Sequence, residues 1–278
     1  MQIRRGMALF LVSIICAAAV LFAFKSSMWQ RLQNSLIFYP TRELYRTPAA
    51  MGWDYEDVWL AVGTERTHGW WIPQENPRGT VLFSHGNAGN IADRLESIAL
   101  LRSFGLSVFA YDYGGYGLSS GKCSEQRCFE DAYAAWQYLT EERGIAPERI
   151  IIFGRSLGGA VTIDLAARVK PAGIVVESTF TSIEDMAKHL FPRLPLHAWV
   201  SVRFASIEKI SAVRAPLLLF HSREDEVVPF VLGQALFTAA PHPKRFVEIH
   251  GPHNNGFALS GDLYTSAWHS FLDEVLPR

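Results

Sequence analysis

The spacing of hydrophobic and polar positions changes character near residue 79. Upstream, residues 29–72 alternate polar and apolar positions between Gly and Pro punctuation, and the segments 55–60 and 69–72 predict two strands of an antiparallel start. Downstream comes a short apolar run at 80–83, suited to a strand buried on both faces, and further β-favouring runs at 107–111, 150–153, 173–177, 216–220 and 245–249 that also read as strands. Segments of helical spacing separate them, at about 91–104, 124–142, 157–168, 230–239 and 262–275. Strands alternating with helices predict βαβ units and a mostly parallel sheet covered on both faces, an α/β fold. The connection 179–215 breaks the rhythm, being long and aromatic, with Phe191, Trp199 and Phe204. An insertion at the carboxyl edge of such a sheet would lie over the ligand site, so it reads as a small helical cap. No internal repeat, low-complexity tract or second domain is visible.

The amino terminus does not share this pattern. Residues 7–24 carry no charge, and at about 1.5 Å per residue they nearly cross a hydrocarbon core of about 30 Å. Residues 1–28 therefore read as a single-pass transmembrane anchor with short flanks, followed by a catalytic domain at 29–278. A cleaved signal peptide is the alternative, with Ala17, Ala18 and Ala19 as small residues at the cut; a buried helix of the core would waste its solvent face. Ile15 before Cys16 is too large for a lipidation site. Arg4 and Arg5 precede the run while Lys25 and Arg31 follow it, a bias of about one charge that favours the large domain outside the cytoplasm.

Composition narrows the choices further. The 26 Lys plus Arg against 27 Asp plus Glu form no basic run, which argues against a nucleic-acid partner. Ser124 reads as an N-cap, placing Cys123 at N′ and Cys128 at N4, facing positions in a hydrophobic staple. The two thiols are expected to come close enough to bridge, or to pack as small apolar groups.

Chemistry concentrates in four places. Gly154-Arg-Ser-Leu-Gly158 fits G-x-S-x-G, with a β-favouring run before it and a small-residue helix after it, the strand–turn–helix of a nucleophile elbow. The alternative is a serine capping a helix after a glycine turn. A serine hydroxyl needs a base, and of nine histidines His253 follows the last strand directly, whereas His250 still lies at that strand's end. His85 and His221 read as structural. Asp225 follows the strand ending at Phe220 and would hold the base in one tautomer, although Glu224 and Glu226 beside it also fit a solvated acidic loop. The order Ser156, Asp225, His253 is the α/β-hydrolase order. The loop after the strand ending at Phe83 is glycine-rich, and the backbone N–H groups of Asn87 and Leu157 are the expected oxyanion donors.

His85-Gly-Asn-Ala-Gly-Asn90, Asp112-Tyr-Gly-Gly-Tyr-Gly117, Gly154-Arg-Ser-Leu-Gly-Gly159, Asp225-Glu-Val-Val-Pro229 and Gly-Pro-His253-Asn together resemble the membrane-anchored α/β-hydrolases related to the yeast bud-emergence protein. Leu36-Ile-Phe-Tyr-Pro40 and Gly69-Trp-Trp-Ile-Pro73 resemble that group's N-terminal segment. The resemblance covers nearly the whole chain after the anchor. It implies the α/β-hydrolase fold and the triad, and it leaves the substrate open, because relatives include esterases, protein-deacylating thioesterases and serine peptidases. Gly114 departs from the D-Y-R-G-Y-G pattern, and the loss of a structural ion pair near the site is expected.

The reading is a serine hydrolase acting on a small-molecule or acylated ester or thioester, with no metal or organic cofactor required. A peptidase is the alternative within the enzyme class, and a non-catalytic membrane-tethered interaction module the alternative outside it. The anchor and aromatic cap point to lipid-like or acylated substrates.

Overall fold

The computed structural model describes residues 28–276. The chain divides into two compact units, Met1–Phe38 and Tyr39–Arg278. In the first, residues 28–37 are helical. The apolar run 7–24 read above as an anchor lies outside the described residues; among those described, no helix is long and apolar enough to cross a membrane.

The second unit is built on eight strands, β1 (Glu56–Val62), β2 (Glu65–Ile72), β3 (Gly79–Ser84), β4 (Leu106–Tyr111), β5 (Ile150–Arg155), β6 (Gly173–Glu177), β7 (Leu217–Ser222) and β8 (Lys244–Ile249). They lie in the order β1-β2-β4-β3-β5-β6-β7-β8. β1 and β2 pair antiparallel, β2 pairs antiparallel with β4, and all other neighbours run parallel. β3 through β7 are buried along their whole length, which is why their sequences are apolar runs without alternation. β1 instead alternates exposed and buried residues, as an edge strand with one solvated face must.

Helices α1 (Leu95–Ser103), α2 (Glu125–Gln137), α3 (Leu157–Ala166), α4 (Ile183–Leu190), α5 (Phe230–Ala239) and α6 (Gly261–Val275) complete the expected alternation. On one face, Ile98 and Leu101 of α1 and Trp268, Phe271 and Leu272 of α6 join Phe83, Phe153 and Phe220 of the sheet in one core. α3 is buried on every side and correspondingly apolar all round. Helix α2 starts where the sequence placed its cap: the Ser124 hydroxyl accepts from the Arg127 N–H at 3.2 Å. The Cys123 and Cys128 sulfurs lie 3.4 Å apart as thiols, within reach of each other as the staple positions imply.

Gly114 has a three-dimensional explanation. A Cβ there would come within 2.8 Å of the Arg127 side chain. The Arg127 guanidinium occupies that space, donates to Asp131 at 2.7 Å and reaches Thr67 at 3.0 Å, while Asp131 also accepts from the Gly114 N–H at 2.8 Å. The ion pair expected to be lost with an arginine at 114 is thus supplied from the first turns of α2.

Strand order decides where a site can form. From β3 the chain runs outward to β4 on one side and returns to β5 on the other, so the loops after β3 and β5 diverge and leave a crevice at the carboxyl edge. Ser84 and Gly154 are paired across that point. The insertion 179–215 carries α4 and short helical turns, but it docks sideways: Glu125 of α2 accepts from the Arg203 and Phe204 N–H groups, Phe204 packs edge-on to Phe129, and Lys209 pairs with Asp164 of α3 at 2.6 Å.

Candidate active site

Ser156 sits in the one-residue turn between β5 and α3 with φ 57° and ψ −120°, a region costly for a residue with a side chain. Three hydrogen bonds hold it there. Its N–H donates to the Glu177 carbonyl at 2.9 Å, and its own carbonyl accepts from the Gly159 N–H at 2.9 Å and the Thr179 hydroxyl at 2.8 Å. The glycines around it are required by close approach: a Cβ on Gly158 would overlap the Ser84 carbonyl and lie 2.6 Å from the His85 carbonyl, and one on Gly159 would lie 2.5 Å from Thr179. Helix α3 can therefore start against the loop after β3 only with glycine at 158, and against the loop after β6 only with glycine at 159.

That loop lies directly over Ser156, since a Cβ on Gly86 would be 3.6 Å from the Ser156 Cβ. Its carbonyls are held away from the serine. His85 O accepts from the Tyr113 hydroxyl at 2.8 Å, Gly86 O is 2.6 Å from the His85 ring, and Asn87 O accepts from the Tyr116 hydroxyl at 2.6 Å and the Tyr39 N–H at 2.9 Å. Because a trans peptide points its N–H opposite to its C=O, the Asn87 N–H faces away from the His85 ring. Leu157 is the first residue of α3, where an N–H has no intrahelical acceptor. His85 itself, its ring 4.5 Å from that of Tyr113 and tilted to it, and 3.2 Å from Asp112, braces this loop.

His253 follows β8, and its Nδ1 lies 2.9 and 2.8 Å from the two carboxylate oxygens of Asp225. Asp225 follows β7 with its side chain fully buried. Burial alone would push its carboxyl upward, but the hydrogen bond and charge of His253 and the Val228 and Val227 N–H groups, at 2.8 and 3.0 Å, outweigh it and hold the carboxyl below its ordinary range. His221 adds a contact at 3.5 Å from the far side, its ring also bonded to the Val228 carbonyl at 3.0 Å; burial holds this imidazole's pKa down. The acidic neighbours are not solvated bystanders: Glu224 accepts from the Gly251 N–H at 3.1 Å and Glu226 from the His253 N–H at 2.9 Å, tying the two loops together. His250, the competing histidine, is exposed at the end of β8.

Ser156 and His253 share one cavity of about 140 Å³, lined also by Phe83, Gly86, Asn87, Ala88, Arg94, Arg155, Val227 and Asn254. The structure thus brings Ser156, His253 and Asn87 to one cavity and Asp225 behind the histidine. No residue of 179–215 belongs to this lining, so the insertion does not roof the cavity as the sequence suggested. Two arginines in the wall went unnoticed in the sequence. Arg155, inside the elbow motif, is buried against Glu177 at 2.8 Å, and Glu177 in turn accepts from the Tyr264 hydroxyl at 2.7 Å. Burial lowers the Arg155 pKa, but Glu177 more than compensates, so the guanidinium is held more firmly charged than usual. Only the pairing of β5 with β6, which sets Arg155 against Glu177, could have signalled it.

The fold is that of the α/β-hydrolases, and the comparisons show the family: the chain belongs to the alpha/beta hydrolase family. It is 35% identical over 284 residues to an uncharacterized protein of Mycobacterium tuberculosis, covering 99% of this chain and 98% of that one. It is 34% identical to the alpha/beta hydrolase domain-containing protein WAV2 of Arabidopsis thaliana, covering 95% and 92%. The family described as serine aminopeptidase, S33, matches residues 75–208. Among solved structures, an esterase of Pyrococcus furiosus superposes with a TM-score of 0.72 at 20% identity, covering 87% of this chain and 98% of that one.

Proposed function

We propose that this chain is a serine hydrolase that cleaves carboxylic ester or thioester bonds through an acyl-enzyme. Ser156 Oγ attacks the acyl carbon while His253 takes its proton through Nε2, because Nδ1 is committed to Asp225. The backbone N–H groups of Asn87 and Leu157 receive the oxyanion. His253 then gives the proton to the leaving group, and water, deprotonated by the same imidazole, releases the acid and restores Ser156. The observation that carries this reading is the strained Ser156 turn opening into the same cavity as a histidine whose other nitrogen is held by a buried carboxylate.

A peptidase is favoured by the name of the matching family, serine aminopeptidase. Holding a peptide's ammonium group calls for a carboxylate in the cavity, and the described lining offers two guanidiniums and no carboxylate. An ester or thioester is the better match. As part of the same proposal, residues 7–24 anchor the chain in a membrane with the catalytic domain outside the cytoplasm, facing small-molecule or acylated substrates.

Labelling with a fluorophosphonate probe tests this reading. The full chain is expected to label at Ser156, with loss in both Ser156→Ala and His253→Ala. A folded parent that does not label would overturn it in favour of an interaction module.

A further inference from the structure

We propose that Arg94 forms an anion subsite in the cavity beside Ser156, and that the ester substrate carries a carboxylate or phosphate group. The proposal rests on the serine-hydrolase reading for the reacting bond, but not for the anion site itself.

Positive charge in the cavity is unbalanced. Arg155 and Arg94 both line the cavity, but only Arg155 has a carboxylate partner. Arg94 ends the helical turn Ile91–Arg94, and one of its terminal nitrogens donates to the Ala88 carbonyl. Its Nε is buried with no hydrogen-bond partner, and among the described residues no carboxylate comes within ion-pair distance of its guanidinium. The two nearest acids are engaged elsewhere. Asp93 accepts from the Asn90 N–H at 2.9 Å and the Tyr45 hydroxyl at 3.1 Å; Asp112 accepts from the Ile91 N–H at 2.9 Å and faces His85. Burial and the neighbouring Arg155 both destabilise the charge on Arg94, and Asp93 and Asp112 offset this only in part.

A guanidinium does not deprotonate to escape such a site, so the unfavourable field persists until an anion arrives. Tying down the Ala88 carbonyl needs only one of its five N–H donors, which leaves further donors on a side chain that lines the cavity. The planar guanidinium fork matches the two oxygens of a carboxylate or phosphate. The cavity volume sets the scale of the group held inside it. At about 140 Å³ it is comparable to cavities that take a six-carbon ring, so a short acyl group ending in an oxyanion, or a phosphate with a short linker, fills it.

The test titrates the full chain with inorganic phosphate and with succinate by calorimetry at constant ionic strength, in the parent, Arg94→Gln and Arg94→Lys. Saturable binding of at least one anion by the parent is expected, weakened tenfold or more in Arg94→Gln and partly restored in Arg94→Lys. The same anion should slow fluorophosphonate labelling of the parent and fail to protect Arg94→Gln. Binding of phosphate alone assigns a phosphate-bearing substrate; binding of succinate alone assigns a carboxylate-bearing one. Absence of saturable binding in the parent, or equal binding by a folded Arg94→Gln, overturns the subsite. Anion binding that depends on Arg94 in a parent that never labels would instead keep the subsite and overturn the hydrolase reading.

Discussion

The buried Arg155–Glu177 pair next to the nucleophile permits a prediction with a defined sign and size. Glu177→Leu removes the only carboxylate paired with Arg155 among the described residues, and the guanidinium is left in a buried position it cannot leave by losing a proton. Stranding one member of a buried pair costs roughly 3–5 kcal/mol. At about 2–4 °C per kcal/mol for a domain of this order of size, Tm should fall by about 6–20 °C. Arg155→Met should cost less, because Glu177 retains the Tyr264 hydroxyl at 2.7 Å and a carboxyl can take up a proton. It does forfeit the Ser97 contact at 3.0 Å and the stacking of the guanidinium 4.3 Å over Phe257, together about 1–3 kcal/mol. The double variant removes both charges and should recover most of the Glu177→Leu loss, giving a coupling on the order of 3 kcal/mol. Urea unfolding of all four proteins measures it. Additivity within about 0.5 kcal/mol would refute the claim that the two charges hold each other in the core.

Three further outcomes follow from the same geometry. Gly158→Ala drives a methyl into the Ser84 carbonyl, and a displacement of about 1 Å between the nucleophile and its oxyanion loop should slow fluorophosphonate labelling by about 100-fold; labelling within threefold of the parent would show that the backbone yields at little cost. Asp225→Asn should lower esterase turnover by a factor on the order of 10⁴. Because the folded carboxyl titrates below its ordinary value of about 3.9, its stabilising contribution is complete above that pH and lost as the pH falls through the folded value. The gap in urea midpoint between the parent and Asp225→Asn should therefore narrow between pH 6 and pH 3; a constant gap would mean that the native and unfolded carboxyls titrate alike. Across p-nitrophenyl esters, kcat/KM should rise from acetate to butyrate as each buried methylene contributes up to about 0.8 kcal/mol, then fall at octanoate, which exceeds the cavity. A preference for octanoate would mean that the acyl chain leaves this cavity by another route.

What the sequence disclosed and what it hid divide along a physical line. Strands β3 to β7 were legible to within a residue or two because a strand buried on both faces must be largely apolar, and several ends moved where a polar residue such as Ser84 or Arg155 continues the ladder; β8, only partly buried, was legible from its β-favouring residues before the His253 loop. The convergence of Ser156, His253 and Asp225 was legible because each follows a strand at the same edge. The roles of Glu224 and Glu226 were not, since an acidic loop looks the same whether it faces water or the N–H groups of a neighbouring loop. Arg127 at Gly114 was hidden for a similar reason: the missing side chain lies in one segment and the guanidinium that fills its place in another. The insertion was recognisable as an insertion, but its direction depends on contacts such as Glu125 with the Arg203 and Phe204 N–H groups, which sequence spacing does not reveal.

That direction affects how selectivity is argued. A cap over the cavity would make the aromatic residues of 179–215 the gatekeepers of acyl length. With the insertion docked on α2 and α3, the cavity is lined by the loops that also carry the chemistry, and its walls include Phe83, Val227 and the two arginines. Apolar walls reject a wrong substrate weakly, at about 1–3 kcal/mol per methylene, whereas a buried charge left without its partner discriminates far more strongly. Arg155 already has Glu177, so substrate choice passes to Arg94, which reaches the cavity from the turn Ile91–Arg94 and lies outside the nucleophile elbow motif.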